Sequence, residues 1–284
     1  MAAIVGVHGI GQQYRGESTM HKDWLPALQD GVRRAGVSIE PDDLRCAFYG
    51  DLFRGEARVL SGDMPQYTAE DLEEGVEFDL LELWWEGAAA TDEGVVGPDA
   101  RTLARTPRSA QRALNALAGS RFFAGLAERV MISSLKQVRK YLTDAELRER
   151  VISKVAEAVA SDTRVLIGHS LGSIVAYEAL CAHPEWPVTT FVTVGSPLGI
   201  RNLIFDRLRP APSSGIGHWP GSVEGWANVA DEGDVVALVK DLRPVFGPNV
   251  RCMVVDCGAR AHDVTRYLTS DAVGEAVAAG LPHG

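Results

Sequence analysis

The sequence predicts an α/β protein in which helices cover a doubly wound, mostly parallel sheet of about six strands. Two observations carry this prediction: short apolar segments of strand length recur along the chain, and segments with helical periodicity separate several of them. Strands that alternate with helices form right-handed β-α-β units, which build a parallel sheet with its site beyond the carboxyl ends of the strands. The predicted strands span residues 2–7, 44–49, 163–168, 188–194, 226–230 and 250–255.

The sequence marks the individual elements in different ways. The first strand is a short apolar run that ends before His8, and a helical stretch follows around Trp24 and Val32. Residues 188–194 are β-branched and aromatic, which is typical of a strand. A helical pattern over residues 171–182 follows the third strand directly.

The composition is ordinary for a globular protein: 284 residues, of which 46% are hydrophobic and 23% are charged. We predict one domain over residues 1–284, since a chain of this length buries roughly three quarters of its unfolded surface. The net charge of −10 argues against nucleic acid as a partner, because phosphate backbones attract basic proteins. The four cysteines show no metal-ligand spacing.

The same residues give an expectation about location. The first core strand begins at about residue 2, which leaves no room for a signal peptide. No run of about eighteen apolar residues indicates a transmembrane segment. We therefore expect a cytoplasmic protein.

An insertion, residues 50–142, separates the second strand from the third and is too long for a simple crossover. Its first half is irregular and acidic. The stretch 78–85 mixes aromatic residues and leucine with alternating acids, and we predict a strand there in preference to a short helix. Its second half is helical: Thr106 and Pro107 begin a helix that Gly119 ends.

Two further helices are predicted before the third strand. Ser120 precedes a long helix whose apolar stripe runs from Phe123 to Leu142. Thr143 and Glu146 have the spacing of a capping box, which begins the last of these helices.

The segment 100–142 is basic, although the chain as a whole is acidic. We interpret it as a cap over the site that attracts anionic substrates or lipid headgroups, which leaves room for peripheral membrane contact. The alternative is a helical pair packed on the core with a solvated basic face. The segment carries one acid, Glu128, and nine basic residues, which are Arg101, Arg105, Arg108, Arg112, Arg121, Arg129, Lys136, Arg139 and Lys140.

A glycine-rich turn after the third strand is the most specific motif. Residues 168–172 read Gly-His-Ser-Leu-Gly, and the helical pattern begins directly after Ser170. A serine on so sharp a turn is lifted to the top of the sheet, and the flanking glycines remove side chains that would collide with the turn. The amide at the helix start faces developing negative charge. The motif therefore predicts that Ser170 is a nucleophile.

A second glycine-rich loop, residues 8–11 with the sequence His-Gly-Ile-Gly, follows the first strand. Glycines suit a loop whose backbone must approach a substrate carbonyl closely. The alternative interpretation of this segment is a nucleotide-binding loop. However, no Gly-Lys-Ser/Thr follows, and a dinucleotide fingerprint requires glycine where this chain has Tyr14.

Together the two loops resemble those of the α/β-hydrolase superfamily, most closely its lipase- and esterase-like members. The resemblance implies an oxyanion hole formed by the amides of Ile10 and Leu171, and an acid and then a histidine after Ser170 in the chain. The complete family fold has two more strands before the oxyanion loop, so we expect a reduced form of that sheet here. The residues that the resemblance implies as lining the site are His8, Gly9, His169 and Ser196.

The resemblance places the acid and the histidine on loops after the last two strands. Asp234 holds the expected place of the acid, after strand 226–230 and before a short apolar segment. Asp231 and Glu232 lie on the same loop and remain alternatives, and each of the three also suits a helix cap. His262 follows the last strand shortly before a Tyr-Leu pair, as the base does in the family.

These residues predict a serine hydrolase. His262 would take the proton of Ser170 as it attacks an acyl carbonyl, while Asp234 would orient the imidazole and stabilise the imidazolium. The chemistry requires neither a metal nor an organic cofactor. We expect the substrate to be a carboxylic ester, either a small molecule or a lipid-like acyl compound. The same motif serves thioesterases, acyltransferases and serine peptidases, and a non-catalytic binding protein of this shape is the alternative from another class.

Overall fold

The described residues form a single sheet of six strands, which correspond to the six strands predicted outside the insertion. A computed structural model describes residues 2–54, 65–98, 105–123 and 126–282. The strands are β1 (Ile4–Val7), β2 (Leu44–Ala47), β3 (Val165–His169), β4 (Thr190–Val194), β5 (Gly225–Asp231) and β6 (Val250–Val255). They are all parallel and lie in the order β2-β1-β3-β4-β5-β6, which confirms the predicted α/β class.

Helices connect the strands and cover the two faces of the sheet. In the described part of the chain, none is both long and apolar enough to cross a membrane. The helix after Ser170 has the predicted bounds. The α-helices of the described ranges are α1 (Glu17–Arg34), α2 (Val76–Thr91), α3 (Pro107–Ala118), α4 (Glu128–Thr143), α5 (Ala145–Ala158), α6 (Leu171–Ala182), α7 (Arg243–Phe246), α8 (Val264–Thr269) and α9 (Asp271–Gly280).

Successive residues of the strands point into two different cores, because side chains alternate along a strand. Ile167 of β3 packs in one core with Trp24 and Leu28 of α1 and with Tyr267 of α8. The preceding residue, Leu166, packs in the other core with residues of helices α2 to α6. The strands are apolar on both faces for this reason, as is typical of parallel sheets.

The predicted strand over residues 78–85 is wrong, because this stretch lies in the middle of α2. The buried residues of α2 recur in adjacent pairs four positions apart, at 76 and 77, 80 and 81, and 84 and 85. That spacing is the one that places side chains on one face of a helix. Within the short stretch alone, the aromatic residues and leucines favour a strand, although the two acids, Asp79 and Glu82, lie three positions apart.

The helices that follow in the insertion are present, with one boundary displaced. The hydroxyl of Thr106 accepts a hydrogen bond of 3.2 Å from the amide of Ser109, so this residue caps α3 as predicted, and Gly119 ends the helix. The next helix, α4, begins at Glu128 and not after Ser120. The serine hydroxyl instead accepts the amide of residue 123, in a turn before the helix.

Helix α5 begins where the capping motif predicts, but its cap is a different residue. The carboxylate of Asp144 accepts the amide of Leu147 at 3.0 Å, whereas Thr143 is the last residue of α4. The same helix carries a buried ion pair that ties it to α6, between Arg148 and Glu178. Because the guanidinium bonds both carboxylate oxygens, the desolvated charges are compensated.

Several basic residues of the insertion form ion pairs with acids from its own first half. Glu77 of α2 is fully buried and accepts hydrogen bonds from Arg139 at 2.6 Å and from Lys136 at 3.4 Å. This pairing compensates part of the local positive charge. It therefore favours the alternative in which segment 100–142 is a helical pair packed on the core, over a cap that attracts anions. Arg101 lies outside the described residues. The pairs are Arg105–Asp79, Arg121–Asp92, Lys136–Glu73, Lys136–Glu77, Arg139–Glu73 and Arg139–Glu77.

Candidate active site

The two glycine-rich loops lie side by side because β1 and β3 are neighbours in the sheet, with Val7 opposite Gly168. The strand order changes direction here: β2 lies on one side of β1, and β3 begins the series that leads to β6 on the other side. Such a switch point opens a crevice beyond the carboxyl ends of the strands, where open α/β sheets place their ligands. His8 and Ser170 both follow strands at this edge.

Ser170 has the strained backbone that the motif predicts, with φ 54° and ψ −129°. Such a conformation costs a non-glycine residue of order 1–3 kcal/mol. A Cβ atom on Gly168 would lie 2.6 Å from the Cα atom of Ser173, and one on Gly172 would collide with the carbonyl oxygen of His8. Close packing therefore requires both glycines, and the turn holds a buried serine at the start of α6.

The loop at residues 8–11 packs directly against this serine. A Cβ atom on Gly9 would lie 2.6 Å from the Cβ atom of Ser170 and 3.1 Å from its Oγ atom, so a larger residue would displace the hydroxyl. Ile10 and Leu171 line the same cavity as the serine. Neither residue donates its backbone N–H to the backbone of a described residue, so both N–H groups remain available as hydrogen-bond donors.

His8 holds the loop from within the protein. Its Nδ1 atom donates to the carbonyl of Gly9 at 2.6 Å, and its Nε2 atom accepts the amide of Tyr49 at 3.1 Å. The Tyr49 hydroxyl donates in turn to the carbonyl of His8, and the two rings stack with 3.9 Å between centroids. Burial lowers the pKa of His8 to about 4, so the imidazole is neutral and both nitrogens are engaged. The residue supports the loop and has no nitrogen left for a proton transfer.

The acid and the histidine expected on the last two loops are in contact. The Nδ1 atom of His262 lies 2.8 Å from the Oδ2 atom of Asp234. The other carboxylate oxygen accepts the amides of Val236 and Ala237 at 2.8 and 3.2 Å. Burial alone would raise the pKa of the Asp234 carboxyl, but the imidazole and the hydrogen-bond donors hold it below its usual value. The carboxylate is therefore ionised and able to orient the imidazole.

The two alternative acids on the same loop, Asp231 and Glu232, do not contact His262 through a described hydrogen bond. Asp231 is buried, and its carboxylate oxygens accept the amides of Gly233 and Cys257. Glu232 is exposed. Of the three acids, Asp234 is the one that bonds to His262.

The opposite nitrogen of His262, Nε2, is buried and has no hydrogen-bond partner among the described residues. His169 packs against the same ring at 4.7 Å between centroids, and its Nε2 atom donates to the carbonyl of His262 at 3.1 Å. Burial, together with the nearby His262, lowers the pKa of His169 to about 3, so it stays neutral. Phe122 of the insertion packs on the ring as well, at 5.8 Å. The free Nε2 atom is the one that a general base requires.

Tyr267 contacts the acid, a role that the sequence did not indicate. Its hydroxyl donates to the Oδ2 atom of Asp234 at 2.8 Å and accepts the amide of Asp231 at 2.8 Å. The residue is fully buried in the core below α1. The Tyr-Leu pair after His262 is the sequence signal for it, because this apolar pair anchors α8 in the core.

Ser196 lies beneath the nucleophile turn. The hydroxyl of Ser173 donates to the carbonyl of Ser170 at 2.6 Å and lies 2.7 Å from the Oγ atom of Ser196. Ser196 is 1% exposed, and the next residue, Pro197, is the one that lines the cavity at the nucleophile. The hydroxyl thus supports the turn from below.

Two cavities adjoin these residues, and the insertion contributes a wall to each. The serine cavity, of about 20 Å³, lies between Ser170 and Ile10 on one side and Leu80, Trp84 and Val138 of the insertion on the other. The second, which we call the cleft, has a volume of about 620 Å³. Its walls include Ala88, Phe122, Glu232, Val254, Asp256 and Ala261.

Comparison with protein-family models, with curated proteins and with solved structures finds no match for this chain. Within the described ranges, no three or more histidine, cysteine, aspartate or glutamate side chains are grouped so as to hold a metal ion. The geometry of the site is therefore the basis for a functional assignment.

Proposed function

We propose that this protein is a serine hydrolase of the α/β-hydrolase type that cleaves a carboxylic ester. The observation that carries the proposal is the hydrogen bond of 2.8 Å between His262 and Asp234, with the Nε2 atom of the imidazole buried and without a hydrogen-bond partner among the described residues. At the same edge of the sheet, Ser170 lies on a strained turn beside the amides of Ile10 and Leu171, which donate to no backbone group in the described ranges. A nucleophile, an oriented base and an oxyanion site are the three parts that acyl transfer requires.

In the first half of the reaction, the Nε2 atom of His262 accepts the proton of the Ser170 hydroxyl, and the Oγ atom forms a bond to the ester carbonyl carbon. The negative charge that develops on the carbonyl oxygen is stabilised by the amides of Ile10 and Leu171. One such donor is typically worth about 10²–10³ in turnover. The ester C–O bond then breaks, and the alcohol leaves with the proton from His262.

In the second half, water attacks the acyl-enzyme and the same groups act in reverse order. Asp234 remains ionised throughout, because the hydrogen bonds to its two oxygens favour the charged form. Its role is to keep the proton of the imidazole on Nδ1 and to stabilise the imidazolium.

Labelling with a fluorophosphonate probe tests the proposal. We expect the purified protein to be labelled and Ser170→Ala not to be labelled. A matched control is Ser134→Ala, which removes a buried hydroxyl that bonds only within α4 and should leave labelling unchanged. A folded protein that is not labelled would contradict the proposal and would favour the non-catalytic binding role.

Acetyl esters, thioesters and anilides of matched acyl group then separate the related activities. The proposal expects turnover of the ester with loss on Ser170→Ala. Turnover of the thioester or the anilide alone would reassign the chemistry to a thioesterase or a peptidase on the same machinery.

A further inference from the structure

The two cavities at the site differ greatly in size. The serine cavity holds about 20 Å³, which is enough for roughly one water molecule. The cleft holds about 620 Å³. An ester places its acyl group and its alcohol group on different sides of the reacting carbon, so the two volumes limit the two halves of the substrate separately.

The serine cavity is placed to receive the acyl group. Ile10 and Leu171, whose amides would hold the carbonyl oxygen, are part of its wall together with Ser170. Three insertion residues, Leu80, Trp84 and Val138, form part of the remaining wall, and Leu80 and Trp84 are 3% and 2% exposed. The rest of the wall comes from outside the insertion and consists of Ile174, Pro197, Ile204 and Val236. A well-packed wall of this kind deforms little. An acyl chain with an extra methylene group would therefore have to displace a buried side chain.

The cleft borders the loop that carries His262, and its wall includes Ala261 but neither His262 nor Ser170. His262 must give its proton to the departing oxygen, so the alcohol lies on the imidazole side of the reacting carbon. Phe122 lines the cleft and packs on the imidazole at 5.8 Å, and Ala261 lines it directly before His262 in the chain. Much of the rest of its wall is polar, with Thr91, Ser120, Glu232 and Asp256 among its residues.

We propose that the preferred substrate joins a short acyl group, of about two or three carbons, to a bulky polar alcohol such as a polyol or a sugar. This inference rests on the proposed function and makes it more specific. Hydrolysis forms the bond from Ser170 to the acyl carbon, breaks the ester C–O bond and transfers the serine proton through His262 to the alcohol. Water then supplies the hydroxyl group of the released acid.

The acyl half is tested with p-nitrophenyl acetate, butyrate and octanoate, which share one leaving group. For the wild type, kcat/KM for the acetate should exceed that for the octanoate by at least about 100-fold, since a single methylene group that does not fit already costs about tenfold or more and the octanoate carries several. Leu80→Ala enlarges the cavity and should lower this ratio about tenfold. Leu81→Ala is the matched control, because Leu81 is equally buried on the same helix and does not line the cavity.

Val138→Ala is a second variant that enlarges the serine cavity, from α4, and it tests the acetate-to-octanoate ratio if Leu80→Ala does not fold. An octanoate that reacts as fast as the acetate would overturn the inference while leaving the serine hydrolase intact. Equal changes of the ratio in Leu80→Ala and Leu81→Ala would also overturn it. If no ester is hydrolysed and the probe does not label Ser170, the proposed function fails and the inference fails with it.

The alcohol half is tested with glucose pentaacetate against methyl acetate, by titration of the released acetic acid. We expect kcat/KM to be at least tenfold higher for the sugar ester. Val254→Trp fills the cleft from a side chain that is 60% exposed, and it should lower this preference several-fold. Val96→Trp, on a surface valine that is not part of the cleft, is the control and should leave the preference unchanged. A wild type without preference for the sugar ester would overturn this half of the inference.

Discussion

The hydroxyl of Tyr267 donates a hydrogen bond of 2.8 Å to the carboxylate oxygen of Asp234 that also bonds the imidazole of His262. The same hydroxyl accepts the amide of Asp231, so one phenol connects the end of β5 to the acid. Because the ring of Tyr267 is fully buried, its hydroxyl has a single position. The hydroxyl holds the carboxylate of Asp234 in place from the side of the core. The site therefore depends on a core residue that we do not expect to touch the substrate.

Replacing Tyr267 by phenylalanine should lower kcat about tenfold with little change in KM. The substitution removes one donor from a charged carboxylate, and such hydrogen bonds are worth about 1.5–3 kcal/mol. It also leaves the Asp231 amide unpaired, so the free energy of unfolding should fall by about 1–3 kcal/mol. Steady-state kinetics and urea denaturation measure the two effects.

Tyr177→Phe is the matched control for this experiment. The Tyr177 hydroxyl is buried and donates to the carbonyl of His218 at 2.9 Å, away from the acid. This variant should lose stability and keep kcat. An equal loss of kcat in both variants would contradict a positioning role for Tyr267.

Asp234→Asn should lower kcat by about 10³–10⁴-fold, because an amide favours the wrong imidazole tautomer and does not stabilise the imidazolium. Asp231→Asn should change kcat less than about threefold, since that carboxylate bonds the amides of Gly233 and Cys257 and not His262. Both residues are buried acids on one loop, so the pair separates catalysis from folding. Similar losses of kcat in the two variants would leave the identity of the acid open again.

Gly9→Ala should reduce probe labelling of Ser170 by about 100-fold or more. The new methyl group would lie 2.6 Å from the Cβ atom and 3.1 Å from the Oγ atom of the serine, so either the hydroxyl or the oxyanion loop must shift. Gly16→Ala is the control, because no atom lies within 4 Å of its added Cβ atom and its φ of −150° suits alanine. Labelling of Gly9→Ala at the wild-type rate would rule out the close approach of loop and nucleophile.

The free energy of unfolding should fall as the pH decreases below about 6.5. Burial lowers the pKa of His8 to about 4 and that of His169 to about 3, whereas in the unfolded chain both take up protons near 6.5. Between these values the unfolded chain binds more protons, so each histidine removes about 1.4 kcal/mol of stability per pH unit. The loss ends near pH 4 for His8 and near pH 3 for His169.

Chemical denaturation of the wild type and of His169→Gln at several pH values measures this effect. Carboxylates also contribute to the pH dependence of the wild type, but they contribute equally to the variant. We expect the slope of stability against pH between about 4 and 6 to be smaller in His169→Gln by the equivalent of one proton. Parallel curves would show that His169 is protonated in the folded protein.

The sequence alone determined the parts that local chemistry controls. The strands appear as apolar runs because both faces of the sheet are buried, and Ser170 is recognisable because only glycine fits two positions before and after it. The cap at Thr106 follows equally from neighbours in the chain. The Gly-His-Ser-Leu-Gly and His-Gly-Ile-Gly segments predict the edge of the sheet where the site lies, since both follow strands.

Only the tertiary structure decided what depends on contacts between distant segments. The sequence favours Asp234 but leaves Asp231 and Glu232 as alternatives, and the path of their loop beside His262 distinguishes the three. The hydrogen bond from Tyr267 requires α8 to pack below the end of β5. The small size of the serine cavity requires α2, at Trp84, to pack against the loops that follow β1 and β3. Each of these arrangements is set by long-range packing, which the local pattern of residues does not specify.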